Sequence, residues 1–194
     1  YSLMKKNKSS KSWIINQHRD EYFKQSRSLG YRSRAAFKLL ELNKKFNFLK
    51  KNSKVLDLGA APGGWSQVVC NICTKGKVMS VDLKQMTELK NIEFLMMDFR
   101  VNESKKVIEN FFSDKIGVIL SDMAANTTGN RDLDCIRTNE LCMEALKFSL
   151  NVLDDNGVIV SKLFTGQDFE VVKKFAISNF KKVRFFKPKS SKDH

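Results

Sequence analysis

Short runs of apolar residues alternate along the chain with longer segments that have the periodicity of amphipathic helices. The apolar runs predict strands at residues 55–59, 77–83, 92–98, 117–123, 157–164 and 183–187. The periodic segments predict helices at residues 32–46 and near residues 63–73, 102–113, 134–153 and 168–179. Right-handed crossovers join strands that alternate with helices in this way, and they produce a mostly parallel sheet with helices on both faces. The pattern therefore predicts an α/β fold.

A glycine-rich turn follows the first predicted strand and opens directly onto a helix. Glycines at 59, 63 and 64 allow backbone N–H groups to approach a ligand closely. Ala61 stands where the dinucleotide fingerprint needs glycine, which disfavours a nicotinamide-dependent dehydrogenase, and the absence of a Gly-Lys-Ser/Thr ending excludes a P-loop. A turn without a phosphate cradle suits a nucleoside that carries a positive centre. S-adenosyl-L-methionine is the candidate.

Aspartates occupy four predicted strand ends, at Asp57, Asp82, Asp98 and Asp122. In an open α/β sheet, ligands bind at the carboxyl ends of the strands. Asp82 is suited to accept both ribose hydroxyls of an adenosine, and Asp98, with Phe99 beside it, is suited to the adenine amino group. One such aspartate is more often a helix cap or turn former, but four around one glycine turn favour a ligand site.

Lys162 lies at the tip of an apolar predicted strand, where a charge is costly unless it has a partner or a task. A lone lysine here would be read as a surface residue. Asp122, however, ends the neighbouring predicted strand, so we expect the two side chains to lie side by side at the carboxyl edge of the sheet. That juxtaposition favours a chemical role.

Basic residues dominate the composition. The 194 residues include 35 Lys and Arg against 21 Asp and Glu, a net charge of +14, and residues 1–19 and 173–192 contain no acid. This distribution predicts a polyanionic partner, nucleic acid before membrane, although an AT-biased genome also enriches lysine. No apolar run reaches the roughly 18 residues that span a bilayer. The length predicts a single domain over residues 13–194, preceded by a flexible basic tail at residues 1–12.

The cysteines are expected to be small buried hydrophobic residues. Cys70 and Cys73 form a single C-x-x-C with no second pair and no nearby histidine, which is weak evidence for zinc, and Cys135 and Cys142 lie on a later predicted helix. No metal site is therefore predicted. Without a secretory signal, this cysteine usage indicates a reducing cytoplasm.

Several motifs, in order and over about residues 12–192, resemble those of the FtsJ/RrmJ ribose 2′-O-methyltransferases. They are the glycine turn at 57–67, Tyr31-Arg-Ser-Arg-Ala-Ala-Phe-Lys-Leu39, Ser121-Asp-Met-Ala124, Ser161-Lys-Leu-Phe164 and Phe186-Lys-Pro-Lys-Ser-Ser191. The closest resemblance is to bacterial and mitochondrial members that methylate a uridine of large-subunit ribosomal RNA. It implies a Rossmann-like methyltransferase fold that uses S-adenosyl-L-methionine, and a monomer in the bacterial cytoplasm, or in mitochondria if eukaryotic. The assembled large subunit is the expected partner.

The resemblance also implies roles for individual residues. Of the family's Lys-Asp-Lys-Glu tetrad, the first three members fall on Lys38, Asp122 and Lys162. The fourth is expected on a final strand after Ser191, and the chain contains no candidate for that strand or its acid. Ala125 stands where the family commonly has proline. The cofactor-binding set is expected to be Gly59, Gly63, Gly64, Trp65, Asp82, Asp98, Phe99 and Asp122, with core packing an equal alternative for Trp65.

An RNA-binding surface is expected where basic residues cluster near these motifs. Its members are Arg32, Arg34, Lys187 and Lys189, together with Lys5, Lys6, Lys8, Lys11 and Arg19. Two other functions remain open at this point. One is 2′-O-methylation of a transfer RNA or an mRNA cap, and the other is a non-catalytic RNA-binding role in ribosome assembly.

Overall fold

The computed structural model of the chain describes residues 21–191. The strands are β1 (Val55–Leu58), β2 (Val78–Asp82), β3 (Glu93–Met96), β4 (Ile116–Ser121) and β5 (Leu153–Ser161). The helices are α1 (residues 21–28), α2 (Ala35–Phe46), α3 (Gly64–Ile72), α4 (Asn102–Phe112), α5 (Arg131–Val152) and α6 (Phe169–Asn179). The predicted tail at residues 1–12 lies outside the described residues.

Local sequence signals explain where several helices begin and end. Asn130 caps the start of α5, because its side-chain oxygen accepts the N–H groups of Asp132 and Leu133. Helix α2 ends at Asn47 in the left-handed conformation, with φ at 50°, which asparagine tolerates better than most residues. Helix α5 ends at Val152, directly before the polar run at residues 154–157.

All five strands run parallel in the order β3-β2-β1-β4-β5. The chain first builds outward from β1 to β3 and then crosses back to the other side of β1, so the order reverses between β1 and β4. Ligands bind at such a switch point, beyond the carboxyl ends of the strands. The predicted α/β fold with a parallel, Rossmann-like sheet is confirmed.

Apolar clusters cover both faces of the sheet. On one face, Leu39 of α2 and Val68 and Val69 of α3 pack against Val55 and Val118. The other face is covered by α4 and α5. There the buried side chains of the two helices and the strands include Ile108, Phe112, Ala145, Phe148, Leu56 and Ile119. Burial on both faces explains why the central strands read as continuous apolar runs rather than alternating ones.

The strand predicted at residues 183–187 is wrong. This stretch forms no strand pairing in the described structure and instead leads into a segment that lies against α2. The Glu41 carboxylate accepts the N–H groups of Lys189 (2.7 Å) and Ser190 (3.1 Å), and the Arg34 guanidinium donates to the Ser190 carbonyl (2.7 Å). Phe186 packs edge-on against Phe46. Arg34 and Glu41 thus satisfy backbone groups of the segment that follows residues 183–187 and hold it against α2.

No helix within residues 21–191 combines the length and apolar character needed to cross a bilayer.

Gly59 sets how closely the end of β1 approaches the loop after β4. Its φ is +73°, and a Cβ atom at this position would lie 2.8 Å from both the backbone nitrogen and the Cα of Met123. Gly129 also has a positive φ, +89°, but a Cβ there would meet nothing within 4 Å. Substitution of Gly129 by alanine therefore tests backbone strain alone, whereas substitution of Gly59 tests strain together with a steric clash.

We expect Gly129→Ala to lower the free energy of unfolding by about 1 kcal/mol, the usual cost of a left-handed alanine. Gly59→Ala should lower it by about 3 kcal/mol or more, because overpacking against the backbone adds to that cost. Urea denaturation of the two variants measures the difference. Equal losses would mean that the β1 end and the Met123 loop separate without penalty.

Candidate active site

The glycine turn is shaped by packing as much as by any ligand. Gly63 has a φ of +114°, and a Cβ atom there would lie 2.8 Å from Nη1 of Arg32. A Cβ at Gly64 would collide with the Ser33 side chain. The sequence analysis explained these glycines by the approach of a ligand to the backbone. The structure supplies a second reason, which is the close packing of the segment before α2 against the turn.

Arg32 is a clamp between two loops. Its guanidinium donates to the carbonyl oxygens of Pro62 (3.3 Å), Thr87 (2.6 Å) and Glu88 (3.0 Å), which ties the turn after β1 to the loop after β2. The Arg32 N–H donates to Gln67 Oε1 (2.7 Å). The RNA-binding role expected of Arg32 stays a prediction, and its hydrogen bonds in the structure are internal.

The other basic residues of the expected RNA surface are divided between internal contacts and solvent. Arg34 bonds to Ser190, and its guanidinium lies 5.5 Å from the centre of the Tyr22 ring. Lys187 and Lys189 are exposed, although the Lys189 backbone is held by Glu41. Residues Lys5, Lys6, Lys8, Lys11 and Arg19 lie outside the described residues.

Asp57 lies inside β1 rather than at its end, and it is completely buried. Ser66 Oγ donates to Asp57 Oδ2 (2.6 Å) and lies 2.8 Å from Ser80 Oγ, while Asp57 Oδ1 has no hydrogen-bond partner among the described residues. Burial raises the pKa of Asp57 from 3.8 to about 7, against the lowering effect of the Ser66 hydrogen bond. Asp57 therefore supports the turn through its hydrogen bond with Ser66, and it does not lie at the carboxyl edge with the other acids.

Asp82 and Asp98 stand at the carboxyl edge, where both already accept hydrogen bonds. Asp82 accepts the N–H groups of Ala61 (2.9 Å) and Lys84 (2.8 Å), so it fixes the glycine turn to the end of β2. The Arg100 guanidinium donates to both oxygens of Asp98, at 3.1 and 2.9 Å, and these bonds lower the pKa of Asp98. Each carboxylate oxygen has more than one acceptor position, so both acids retain capacity for a ligand.

Phe99 and Trp65 lie in the apolar clusters. Phe99 is buried and packs edge-on against Phe148, with ring centres 5.3 Å apart. Trp65 is buried, and its indole N–H donates to the carbonyl oxygen of Ala35 (2.8 Å). For Trp65 the structure thus shows core packing, the alternative that the sequence left open. Contacts of either residue with a cofactor stay predictions.

Lys162 and Asp122 form the ion pair that the sequence predicts. Lys162 Nζ lies 3.1 Å from Asp122 Oδ1, and the two side chains are 22% and 19% exposed. The backbone fixes both residues, because Asp122 N–H donates to the Leu58 carbonyl (3.1 Å) and Lys162 N–H donates to the Ser121 carbonyl (2.8 Å). A rigidly placed pair of this kind at the carboxyl edge of the sheet can take a proton from a bound hydroxyl when Lys162 is in its neutral form.

Lys38, the third expected catalytic residue, is half-buried on α2. It lies about one turn beyond Ala35, whose carbonyl accepts the Trp65 indole N–H, so α2 is joined to the helix that follows the glycine turn. The catalytic role of Lys38 stays a prediction.

The sequence analysis missed two polar residues of α5 that support the site. Thr138 and Asn139 are both buried, and Thr138 Oγ1 accepts the N–H of Ala125 (3.2 Å). A proline at position 125 would have no N–H group. Ala125 has one, and the Thr138 hydroxyl accepts its hydrogen bond. The sequence signal that could have identified them is a pair of adjacent polar residues inside a helix that packs on the sheet.

The cysteines are all free thiols. Cys73 and Cys142 are buried, as expected, whereas Cys70 and Cys135 are only half-buried. Burial raises the pKa of the Cys73 thiol to about 11.

The buried carboxyl of Asp57 makes stability depend on pH. Its pKa is higher in the folded protein than in the unfolded chain, so between about pH 4 and pH 7 the folded state holds a proton that the unfolded chain has released. The contribution of Asp57 to the free energy of unfolding therefore falls as pH rises through this window and is constant above it.

Asp57→Asn does not titrate, so its stability relative to wild type should increase from pH 5 to pH 8 in urea denaturation. Ser66→Ala removes the hydrogen bond that lowers the pKa of Asp57, and it should extend the window to higher pH. A difference between Asp57→Asn and wild type that is independent of pH would contradict the buried, protonated carboxyl.

Comparisons with known proteins agree with this arrangement. The sequence profile of the family described as "FtsJ-like methyltransferase" matches residues 31–194. Ribosomal RNA large subunit methyltransferase E of Pelagibacter ubique is 46% identical over 189 residues, which cover 97% of this chain and 93% of the relative. The protein of the same name from Francisella philomiragia is 41% identical over 191 residues, with the same coverage of both chains.

A solved structure is also similar. The crystal structure of a Plasmodium falciparum protein described as a ribosomal RNA methyltransferase superimposes with a TM-score of 0.74 at 33% identity, over 82% of this chain and 93% of that one. The family profile spans most of the chain, including the glycine turn, the Lys162–Asp122 pair and α2. The resemblance found in the motifs is confirmed, and the chain belongs to the FtsJ-like methyltransferase family.

Proposed function

We propose that the protein transfers a methyl group from S-adenosyl-L-methionine to the 2′ hydroxyl of a uridine ribose in large-subunit ribosomal RNA, acting on the assembled large subunit. The observation that carries the proposal is the Lys162–Asp122 pair, 3.1 Å apart at the carboxyl edge of the sheet. Relatives at 46% and 41% identity are named for methylation of large-subunit ribosomal RNA. The net charge of +14 is consistent with a polyanionic substrate.

The donor groups at the edge fit the proposed cofactor. Asp82 and Asp98 would hold the ribose hydroxyls and the adenine amino group, and Asp122 would face the methionyl part. Gly59, Gly63 and Gly64 would contribute the backbone of the turn to the nucleoside site, while the space beside their Cα atoms is filled by Met123, Arg32 and Ser33. When bound, the sulfonium supplies an electrophilic methyl group, so the protein is left with positioning and proton removal.

Proton removal falls to Lys162. A ribose hydroxyl ionises far above neutral pH, so its oxygen becomes a good nucleophile only when a base takes the proton as the new bond forms. Lys162 in its neutral form would accept that proton at Nζ. Asp122 would hold Nζ in place and stabilise the ammonium that results. Lys38 would bind the 2′ oxygen or an adjacent phosphate and offset the negative charge that develops there.

The direct test is incubation of the protein with labelled S-adenosyl-L-methionine and unmodified large ribosomal subunits, followed by mass spectrometry of the nucleosides. We expect labelled 2′-O-methyluridine. Label in a base-methylated nucleoside would overturn the assignment of the 2′ hydroxyl. Label incorporated into transfer RNA or capped mRNA, and none into subunits, would overturn the substrate.

Lys162→Ala should nearly abolish methyl transfer and leave cofactor affinity within about threefold, since the residue acts on the proton and not on the cofactor. Lys162→Arg should not restore activity, because a guanidinium does not give up its proton in this pH range. Lys54→Ala is a matched control. Lys54 also forms a 3.1 Å ion pair, with Asp114, but at the opposite edge of the sheet. Substantial turnover by Lys162→Arg would show that a fixed positive charge is sufficient and that no base is needed.

Asp82→Ala should weaken binding of S-adenosyl-L-methionine by about 1.5–3 kcal/mol in calorimetry, the worth of charge-assisted hydrogen bonds to the ribose. Because Asp82 also anchors the N–H of Ala61, thermal denaturation without cofactor measures any damage to the turn. Asp114→Asn, at the opposite edge, should bind like wild type. Unchanged affinity in Asp82→Ala would remove Asp82 from the ribose site.

A further inference from the structure

Asn139 carries a hydrogen-bonding arrangement that the proposed chemistry does not yet use. The residue lies in the interior of α5 and is fully buried. A buried primary amide is costly unless its donors and acceptor find partners. Here they do, and two of the bonds go to the backbone of one residue, Phe164, in the loop that follows β5.

Asn139 bonds to Phe164 as a neighbouring strand would. Its Oδ1 accepts the N–H of Phe164 (2.8 Å), and its Nδ2 donates to the Phe164 carbonyl (2.9 Å). Nδ2 also donates to Oδ1 of Asp168 (2.9 Å), at the start of α6. A side chain of α5 thus continues the backbone pairing of the chain two residues beyond Lys162, after the sheet has ended.

Lys162 consequently lies between two fixed points of the backbone. On one side its own N–H is bonded to Ser121 of β4, and on the other Phe164 is bonded to Asn139. The Phe164 ring also lies beside the lysine, with its centre 5.7 Å from Nζ. Only Leu163 separates Lys162 from the residue that Asn139 holds, so the path of the main chain at Lys162 has little freedom.

The preceding residue of the same helix acts on the other loop. Thr138 Oγ1 accepts the N–H of Ala125, three residues beyond Asp122. One turn of α5 therefore contacts both the loop that follows Asp122 and the loop that follows Lys162. Helix α5 thus contacts the backbone beyond both members of the ion pair, in addition to the sheet bonds that hold Asp122 and Lys162 themselves.

We infer that Asn139 is a positioning residue for methyl transfer, and that it holds Lys162 against Asp122 through the backbone of Phe164. This inference rests on the proposed function of Lys162 as the base. Without the Asn139 amide, Lys162 and Asp122 would both still be present, but they would be free to move apart. A displacement of about 1 Å in a reacting group can lower the rate about 100-fold.

The test compares Asn139→Ala with Leu146→Ala, a buried residue about two turns further along α5 whose apolar side chain cannot form a hydrogen bond to either loop. Three quantities are measured for each variant: kcat at saturating cofactor and ribosomal subunits, the Kd of S-adenosyl-L-methionine by calorimetry, and hydrogen exchange of the Phe164 amide. Asn139→Ala should lower kcat by about 10- to 100-fold, with KM and Kd within about threefold, and should accelerate Phe164 exchange at least about tenfold. Leu146→Ala should lose thermal stability with kcat within about twofold of wild type.

A double variant keeps the test decisive if Asn139→Ala folds poorly. Asn139→Asp with Asp168→Asn exchanges donor and acceptor between positions 139 and 168 and retains an acceptor for the Phe164 N–H. The bonds from position 139 to the Phe164 carbonyl and to Cys135 Sγ (3.8 Å) are lost. Its kcat should lie between those of wild type and Asn139→Ala. Unchanged kcat or unchanged Phe164 exchange in Asn139→Ala, or equal loss in Leu146→Ala, overturns the positioning role alone. Activity retained by Lys162→Ala overturns the proposed function instead.

Discussion

The parallel pairing of β4 with strands on both sides is the constraint on which the site depends. In this register Ser121 lies opposite Leu58 of β1 and Ser161 of β5, so Asp122 and Lys162 leave the sheet together at the same level. The backbone bonds that continue from the ladder then fix each residue independently of its side chain. A slip of one residue in β4 or in β5 would turn Asp122 or Lys162, respectively, to the opposite face and destroy the pair. The position of the Lys162–Asp122 pair is therefore set by strands that also bury apolar surface on both faces.

The acids around the glycine turn have different environments and therefore different tasks. Asp57 is fully buried, and this burial raises its pKa to about 7, so it holds its proton below that pH and supports the turn through Ser66. Asp98 is bound by Arg100, and its pKa is lowered, so it stays ionised at the edge. Asp122 shares its site with Lys162, where the cost of removing both charges from water offsets much of their attraction. Acids that look equivalent in sequence therefore differ in burial, in hydrogen-bond partners and in pKa.

Polar and charged side chains also take the place of backbone pairing where the sheet ends. Arg32 joins three carbonyl groups of two loops, Glu41 and Arg34 hold the segment around Ser190, and Asn139 holds Phe164. Loops that surround a ligand site cannot pair within a sheet, yet their buried N–H and C=O groups need partners. Polar side chains of α2, of the segment just before it and of α5 provide them. Several residues expected to contact RNA or cofactor also bind the backbone in this way, and their ligand contacts stay predictions.

The sequence by itself determined the α/β fold, the bounds of most helices and strands to within a few residues, and the meeting of Lys162 with Asp122. These follow from local periodicity and from the rule that the ends of parallel strands share one edge. Only the tertiary structure decided that Asp57 is buried, that Trp65 and Phe99 lie in the core, that Arg32 is a clamp, and that residues 183–187 leave the sheet. It also decided the contacts of Asn139, whose partner Phe164 lies 25 positions away in the chain. Such contacts depend on which helix faces which loop after packing, and no local pattern of residue types encodes that choice.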